Sequence, residues 1–170
     1  MILKRLFQKT PAPERLLYEA IVAAARRPQP YAEWGVADTL DGRFDMICLH
    51  AFLVLDRLKG GAGALRQNLV DELFHDMDRS LREMGVGDVS VGKKVRKMAE
   101  VLYGRLAAYD SAAGRPELER AIARNVYGGE APARGLASLT DYAMNLRMRL
   151  ATLEEEDLIE GLAADPETAP

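Results

Sequence analysis

Apolar residues recur at alternating steps of three and four near the end of the chain, at Leu136, Leu139, Ala143, Leu146, Leu150 and Leu153. This spacing places all of them on one face of an α-helix, and such a seam is typical of a helix that packs against other helices. Helical spacing covers most of the remaining chain, and no stretch shows the two-residue alternation of a half-buried strand. The pattern therefore predicts an all-α protein, a single-domain bundle of about six helices.

Turn-forming residues set the limits of the predicted helices. The segment RPQPYAEWGVADTLDGR is rich in proline, glycine and aspartate and predicts a Pro/Gly-rich loop between the first two helices. Glycines after later periodic segments predict helix ends. The predicted helices cover residues 11–27, 44–58, 64–84, 93–112, 116–127 and 136–153.

The charge distribution divides the chain into three segments. Residues 154–170 hold seven acidic residues and neither lysine nor arginine, which predicts an acidic C-terminal tail after a helical domain over residues 10–153. Residues 1–9, MILKRLFQK, form a basic amphipathic segment, which we expect to contact an anionic membrane surface. The body of the chain carries too little and too scattered positive charge for a nucleic-acid-binding domain, so no DNA partner is expected.

Cysteine content and hydropathy bear on location. Cys48 is the single cysteine, which excludes an internal disulfide and is typical of a reducing compartment. The longest apolar run, MICLHAFLVL, is about half the length of a membrane span. The N-terminus lacks the apolar core and cleavage site of a signal peptide. We expect a cytoplasmic protein, peripheral on the inner face of the cytoplasmic membrane where its N-terminal segment binds lipid.

The stretch GVGDVSVGKK, which begins at Gly85, nearly matches the phosphate-binding motif G-x-x-x-x-G-K-[ST]. That motif requires a buried strand before its glycines and a serine or threonine after its lysine to bind magnesium. Here a helix end, RSLREM, precedes the glycines, and Lys94 follows Lys93 at the magnesium position. We therefore interpret the stretch as a turn between helices, in which Gly85 ends one helix and Asp88 or Ser90 begins the next.

Four cations follow this turn, at Lys93, Lys94, Arg96 and Lys97. They lie at the predicted N-terminus of a helix, where the helix dipole disfavours positive charge. We therefore expect them to face Glu83 on the preceding helix, solvent alone, or the acidic surface of a partner.

The sequence contains part of the ligand set of helical metal-dependent phosphohydrolases, namely His50, His75 and Asp76. Phosphohydrolase activity is therefore the alternative function for this all-helical chain. Helical geometry argues against a shared metal, because His75 falls on the polar face of its helix and Asp76 at the apolar edge. We expect His75 to be exposed and His50 to be buried, with Asp76 or a backbone carbonyl as its hydrogen-bond partner. No other catalytic set is evident, so neither enzymatic activity nor a metal or cofactor is expected.

Three segments carry a resemblance to a known family: WGVADTLDGRFDMICLHAFLVLDRLK, LFHDMDRSLREMGVGDVSVGKKVRKMAEVLYGRLAAY and ARNVY. Over residues 30–149 the chain closely resembles the ubiquinol-cytochrome c chaperone family, which includes mitochondrial assembly factors for the cytochrome bc1 complex. The resemblance implies a non-enzymatic, all-helical factor that binds newly made cytochrome b. Mitochondrial members act near the ribosome with a small partner protein. The short N-terminus without a transit peptide suggests a bacterial member, for which those two contacts are left open.

A chaperone of this kind needs a recognition surface and no reactive centre. The polar residues of the matching segments are our candidates for that surface, because the fold has no evident need of them: Asp38, Asp41, Arg43, Asp45, Asp76, Asp78, Arg82, Lys93, Lys94 and Arg105. Each also has a structural interpretation, since Asp41-Gly42 fits turn chemistry and several others fit ion pairs between antiparallel helices. The aromatic residues Trp34, Phe44 and Tyr103 either line a groove or belong to the core.

Overall fold

The computed structural model describes residues 11–61 and 63–164, so the N-terminal segment 1–9 lies outside the described residues. Within these ranges the chain contains no strand, and a short 3-10 turn, Glu155–Asp157, precedes the last helix. The all-α, single-domain prediction is confirmed. The α-helices are α1 (Pro13–Ala25), α2 (Pro28–Ala32), α3 (Leu40–Arg57), α4 (Gly63–Glu83), α5 (Asp88–Asp110), α6 (Arg115–Val126), α7 (Ala133–Ala151) and α8 (Leu158–Ala163).

Proline and a capping hydroxyl begin the first three helices. Both α1 and α2 start with proline. The N–H of a first helical residue has no acceptor within the helix, so the absence of an N–H in proline loses no hydrogen bond there. The predicted loop thus contains a short helix, α2. Thr39 caps α3 by accepting a hydrogen bond from the Gly42 N–H at 3.1 Å, so α3 begins at Leu40 rather than at Phe44.

α3 is the centre of the bundle. Its apolar residues face all directions, and α1, α5, α6 and α7 pack around it. Every residue from Cys48 to Leu55 is buried, including the polar side chain of His50. From Leu136 to Leu150 the predicted leucine seam lies on α7, which packs against α3 and α6, whereas Leu153 follows the end of this helix. No helix within the described ranges has the length and apolar character needed to cross a membrane.

The connection between α4 and α5 confirms the interpretation of GVGDVSVGKK as a turn. Gly85 has φ +83°, and the N–H groups of Gly85 and Val86 donate to the carbonyls of Arg82 at 2.9 Å and Leu81 at 3.0 Å. This is a Schellman motif, in which glycine adopts the left-handed conformation that ends a helix. Lys93 lies inside α5, and within the described ranges no strand precedes it, so this stretch is not a phosphate-binding loop.

The acidic segment that begins at Glu154 folds onto the bundle as far as Ala164 instead of forming a tail there. Leu158 and Leu162 of α8 are buried, and α8 packs against α1 and α7. Arg27 donates to two consecutive carbonyl oxygens at the end of α8, each at 2.8 Å, and thereby satisfies groups that have no helical partner. The two leucines explain the difference, because their burial outweighs the local excess of acid.

The short glycine-rich connection between α3 and α4 predicts that these two helices pack against each other, but within the described residues they are not each other's main neighbours. α4 packs against α1 and α5, whereas the main neighbours of α3 are α1, α5, α6 and α7. Tyr18 on α1 donates a hydrogen bond to Asp76 on α4, so α1 occupies the place that α3 was expected to take. The short glycine-rich connection limits the path of the chain, but the burial of apolar faces selects the packing partner.

Gly104 on α5 offers a test of the local energetics of this fold. It is exposed within the helix, and an added β-carbon would meet no atom within 4 Å. Gly104→Ala is expected to raise the free energy of unfolding by about 0.5–1 kcal/mol, because alanine loses less backbone entropy. Gly135→Ala on α7 is the matched control: its β-carbon would collide with the Trp34 carbonyl oxygen, which costs about 1–3 kcal/mol. Urea denaturation measures the free energy of unfolding of both variants. Equal changes in the two variants would contradict the close packing of Gly135 against Trp34 and the open surroundings of Gly104.

Candidate functional site

A groove of about 460 Å³ opens on the side of the bundle where α3, α4 and α5 meet. The start of α3 forms one wall, α4 from Leu73 onwards together with Met84 just after its end forms the second, and α5 from Lys97 to Arg105 forms the third. Tyr18 and Arg26 complete the lining. At a rise of about 1.5 Å per residue, the α4 wall extends about 16 Å, or three helical turns. The groove is therefore long enough to receive a helical segment.

Apolar side chains dominate this groove, and two of them are open to solvent. Leu40 is 67% exposed and Met84 is 53% exposed. Met77 and Met98 add two further methionines, whose unbranched side chains adapt to irregular surfaces. The other apolar lining residues are Phe44, Ile47, Leu73, Leu81 and Val101. Exposed apolar surface rimmed by polar residues is typical of a binding site.

Asp45 of α3 and Arg105 of α5 form an ion pair in the groove wall, and both side chains are largely buried. Burial raises the pKa of Asp45 to about 6, and the positive charge of Arg105 opposes this rise. The Arg105 guanidinium also lies 5.6 Å from the centre of the Phe44 ring. The pair fixes α5 against α3 and thereby sets the width of the groove.

Asp76 joins α4 to α1 along the groove. It accepts hydrogen bonds from the Tyr18 hydroxyl and from the Arg79 guanidinium. Burial, together with the hydrogen bond to Asp76, raises the pKa of Tyr18, which therefore remains a neutral donor. The Asp76 carboxylate thus has two partners within the wall of the groove.

Asp38, Asp41 and Arg43 lie around the first turn of α3. Arg43 donates to Asp38 Oδ1 at 2.7 Å, and this hydrogen bond lowers the pKa of Asp38. Asp41 and Arg43 line the groove, and both are exposed. The pair Asp41-Gly42 is helical and not a turn. Glycine is required there because a β-carbon at Gly42 would collide with the Ala37 carbonyl oxygen.

Asp78 and Arg82 contribute to a clamp across the turn between α4 and α5. Arg82 donates to Asp78 Oδ2 at 2.6 Å and also to Asp88, and these hydrogen bonds raise the pKa of Arg82. Lys93 and Lys94 are exposed at the start of α5, beyond this clamp. These four predicted residues surround the turn and do not line the groove.

The groove therefore brings together half of the predicted surface residues, namely Asp41, Arg43, Asp45, Asp76 and Arg105, with Asp38 attached through Arg43. Of the three aromatic candidates, only Phe44 lies in it. Trp34 packs against Tyr142 with ring centroids 5.6 Å apart, and Tyr103 packs against Phe74 at 5.8 Å. The apolar lining of the groove was not predicted from the sequence. The sequence feature that indicates this lining is a large apolar residue at each of two helix ends, Leu40 and Met84, where polar residues or glycine are usual.

The structure separates the residues of the hydrolase alternative. His50 is fully buried, with Nδ1 2.8 Å from the Met46 carbonyl oxygen and Nε2 2.7 Å from the Tyr142 hydroxyl. Burial lowers the pKa of His50 to about 4, so the neutral ring donates from Nδ1 and accepts at Nε2. The predictions of a backbone carbonyl partner and of an exposed His75 are confirmed, whereas Asp76 as a partner is wrong. Within the described ranges, no three His, Cys, Asp or Glu side chains are grouped to hold a metal.

His50 and Asp45 act in opposite directions on stability as pH falls. Below pH 6.5 the unfolded state protonates His50 while the fold keeps it neutral down to about pH 4, so stability falls. Between about pH 6 and pH 3.8 the fold holds a proton on Asp45 that the unfolded state lacks, so stability rises. The free energy of unfolding of the Asp45→Asn variant is therefore expected to fall more steeply than that of the natural protein as the pH is lowered from 6 to 4. The two slopes should differ by up to about 1.4 kcal/mol per pH unit. Urea titrations at several pH values measure the slopes, and equal slopes would contradict these assignments.

Comparison with known proteins adds to this geometry. The sequence profile described as Ubiquinol-cytochrome C chaperone matches residues 32–164. The chain belongs to this family. A curated relative, ubiquinol-cytochrome-c reductase complex assembly factor 1 of Xenopus laevis, is 26% identical over 149 residues, which cover 84% of this chain and 74% of that protein. The crystal structure of the Cbp3 homolog from Brucella abortus covers 100% of both chains with a TM-score of 0.77 and 37% identity.

The ubiquinol-cytochrome C chaperone region contains most of the groove. α3, α4 and α5, which supply its three walls, all lie within residues 32–164. Tyr18 and Arg26 of α1 precede the matched region. The fold shared with the Brucella abortus protein extends over α1 as well, because that similarity spans the full chain.

Proposed function

We propose that this chain is a non-enzymatic chaperone for the assembly of ubiquinol-cytochrome c reductase, the cytochrome bc1 complex, and that it holds an apolar helical segment of cytochrome b. Family membership supports the assembly role, as does the Xenopus laevis relative, which is an assembly factor for the reductase complex. The observation that carries the binding role is the exposed, methionine-lined groove between α3, α4 and α5. A helix with one apolar face binds into a groove of this kind.

The chemistry of the groove suits a client that belongs in a membrane. An apolar helix that has not yet reached its place in a complex exposes side chains to water, and covering them stabilises the bound state by about 25 cal/mol per Å² of apolar surface. The methionines adapt to different client side chains, as they do on other surfaces that bind varied helices. The charged rim, which includes Asp41, Arg43 and Lys97, remains hydrated and is available to polar groups at the ends of the client segment.

Deleting the gene tests this function directly. Assembled cytochrome bc1 complex is expected to fall sharply, together with total cytochrome b, because an unprotected client is degraded or aggregates. A plasmid-borne copy of the natural gene is the control and should restore both. Native gel electrophoresis measures the complex, and immunoblotting measures cytochrome b. Normal levels of the complex in the deletion strain would contradict the proposed function.

The hydrolase alternative has its own measurements. Metal analysis of the purified protein and a general phosphatase screen are both expected to be negative, because His50 is enclosed by Met46 and Tyr142 while His75 faces solvent. A stoichiometric metal ion, together with phosphatase activity lost on His75→Ala, would contradict the chaperone proposal and support the enzyme.

A further inference from the structure

A basic tip lies at the start of α5, and we define it by Val89, Lys93, Lys94 and Arg96. Val89 is 99% exposed, which is the largest exposed fraction among the large apolar side chains of the described residues. The three cations are exposed as well. Val89, Lys93 and Arg96 follow one another at steps of four and three, so they share one solvent-facing stripe of α5. The tip therefore presents a bare apolar side chain among cations.

Interactions within the fold do not account for the charge of the basic tip. Cations near a helix N-terminus oppose the helix dipole. Within the described ranges, no carboxylate forms an ion pair with these three cations, so Glu83, one of the three alternatives that the sequence left open, is not their partner there. The other acids close in sequence are engaged elsewhere, since Asp88 pairs with Arg82 and Glu100 with Lys97. Negative charge from outside the described residues is therefore the natural complement of the tip.

We infer that the basic tip docks on an anionic lipid bilayer. Lysine and arginine side chains interact with lipid phosphates while an apolar side chain enters the boundary between headgroups and acyl chains, which is the pattern of interfacial protein segments. RNA also attracts cations, but phosphate contacts to RNA give no role to a fully exposed valine. The combination of Val89 with the cations therefore favours a bilayer over RNA.

The position of the basic tip relates it to the groove. Met84, at the end of α4, lines the groove, and the turn from Met84 to Asp88 leads directly into the tip. Lys97, one helical turn after Lys93 and Lys94, also lines the groove. Docking of the tip would hold this end of the groove next to the membrane surface. The inference concerns the tip alone and does not depend on the identity of the client.

Vesicle flotation with the full-length protein tests this inference. The probes are vesicles of phosphatidylcholine alone and of phosphatidylcholine mixed with phosphatidylglycerol. Binding is expected only with phosphatidylglycerol and should weaken as salt is added. Lys93→Gln/Lys94→Gln/Arg96→Gln should weaken partitioning by roughly fivefold for each cation removed. Val89→Gln should weaken it further without changing its dependence on salt.

A matched triple variant controls for net charge. Arg66, Arg124 and Arg134 are exposed and lie outside the basic tip, so their replacement by glutamine removes the same charge from other surfaces. This control variant should float nearly as well as the natural protein. Equal losses of flotation in both triple variants would overturn the inference. Undiminished flotation of the tip variant would also overturn it, because lipid binding would then belong to another segment, such as residues 1–9. Tighter binding to single-stranded RNA than to anionic vesicles, unaffected by Val89→Gln, would overturn it in favour of RNA.

Discussion

Arg105→Met is expected to lower the free energy of unfolding by about 3–5 kcal/mol at neutral pH, because it leaves the Asp45 carboxylate buried without its ion-pair partner. The loss should be smaller at pH 5 than at pH 7.5, because removal of Arg105 raises the pKa of Asp45 further, and the buried carboxyl then takes up a proton as the pH falls and no longer carries a charge. Urea denaturation at pH 7.5 and pH 5, followed by circular dichroism, measures both effects.

Two further variants complete this test. Asp45→Leu combined with Arg105→Met removes both charges and should recover most of the lost stability, since an apolar pair of similar volume often replaces a buried ion pair without cost. Asp45→Asn alone should also be destabilising, because it leaves the largely buried Arg105 guanidinium without its counter-charge, and arginine cannot lose its proton to relieve this. A double variant that is as unstable as Arg105→Met would contradict the role assigned to the pair and would instead indicate lost packing of the arginine stem over Phe44.

Leu40→Gln combined with Met84→Gln is expected to impair assembly of the cytochrome bc1 complex severely while leaving the fold intact. Both side chains are more than half exposed in the free protein, at 67% and 53%, so their replacement should change stability by less than about 1 kcal/mol. A client helix would cover them, and losing about 1.5–3 kcal/mol of burial at each position weakens binding by roughly tenfold or more per residue. Assembled complex and the melting temperature are measured together.

Met148→Gln provides the control for this experiment. Met148 lies on α7, is 60% exposed and does not line the groove. It should affect neither stability nor assembly. Equal impairment by the groove variant and by Met148→Gln would show that replacing any exposed methionine or leucine by glutamine impairs assembly, and that contacts within the groove are not required.

Much of the fold could be predicted from the sequence because helical periodicity is a local signal. The apolar spacing on α7, the left-handed glycine that ends α4 and the polar face that contains His75 all depend on residues within a few positions of one another. The partner of α4 could not be predicted in this way, because α1 and α3 both offer apolar faces. Burial of Leu158 and Leu162 also depends on distant helices, which is why composition alone indicated a tail.

The polar part of the groove was partly predictable, but its shape was not. Asp45 and Arg105 could be selected from the sequence, because they are polar residues in segments that resemble a known family. Their ion pair could not be predicted, because they are 60 positions apart and the pair depends on the packing of α3 against α5. The same is true of His50, whose second partner, Tyr142, lies 92 residues away. The exposed side chains of Leu40 and Met84 become recognisable only when the three walls are assembled.

Site-specific photo-crosslinking in cells tests most directly whether the groove holds cytochrome b. A photoreactive amino acid is placed at Met84, within the groove, and in a second strain at Met148, on the exposed face of α7. The chaperone proposal predicts an adduct with cytochrome b from position 84 and none from position 148. It also predicts that the adduct disappears when the position 84 probe is combined with Leu40→Gln. An adduct from position 148 at equal yield, or no cytochrome b adduct from position 84 while the chain still supports assembly of the complex, would contradict the proposal.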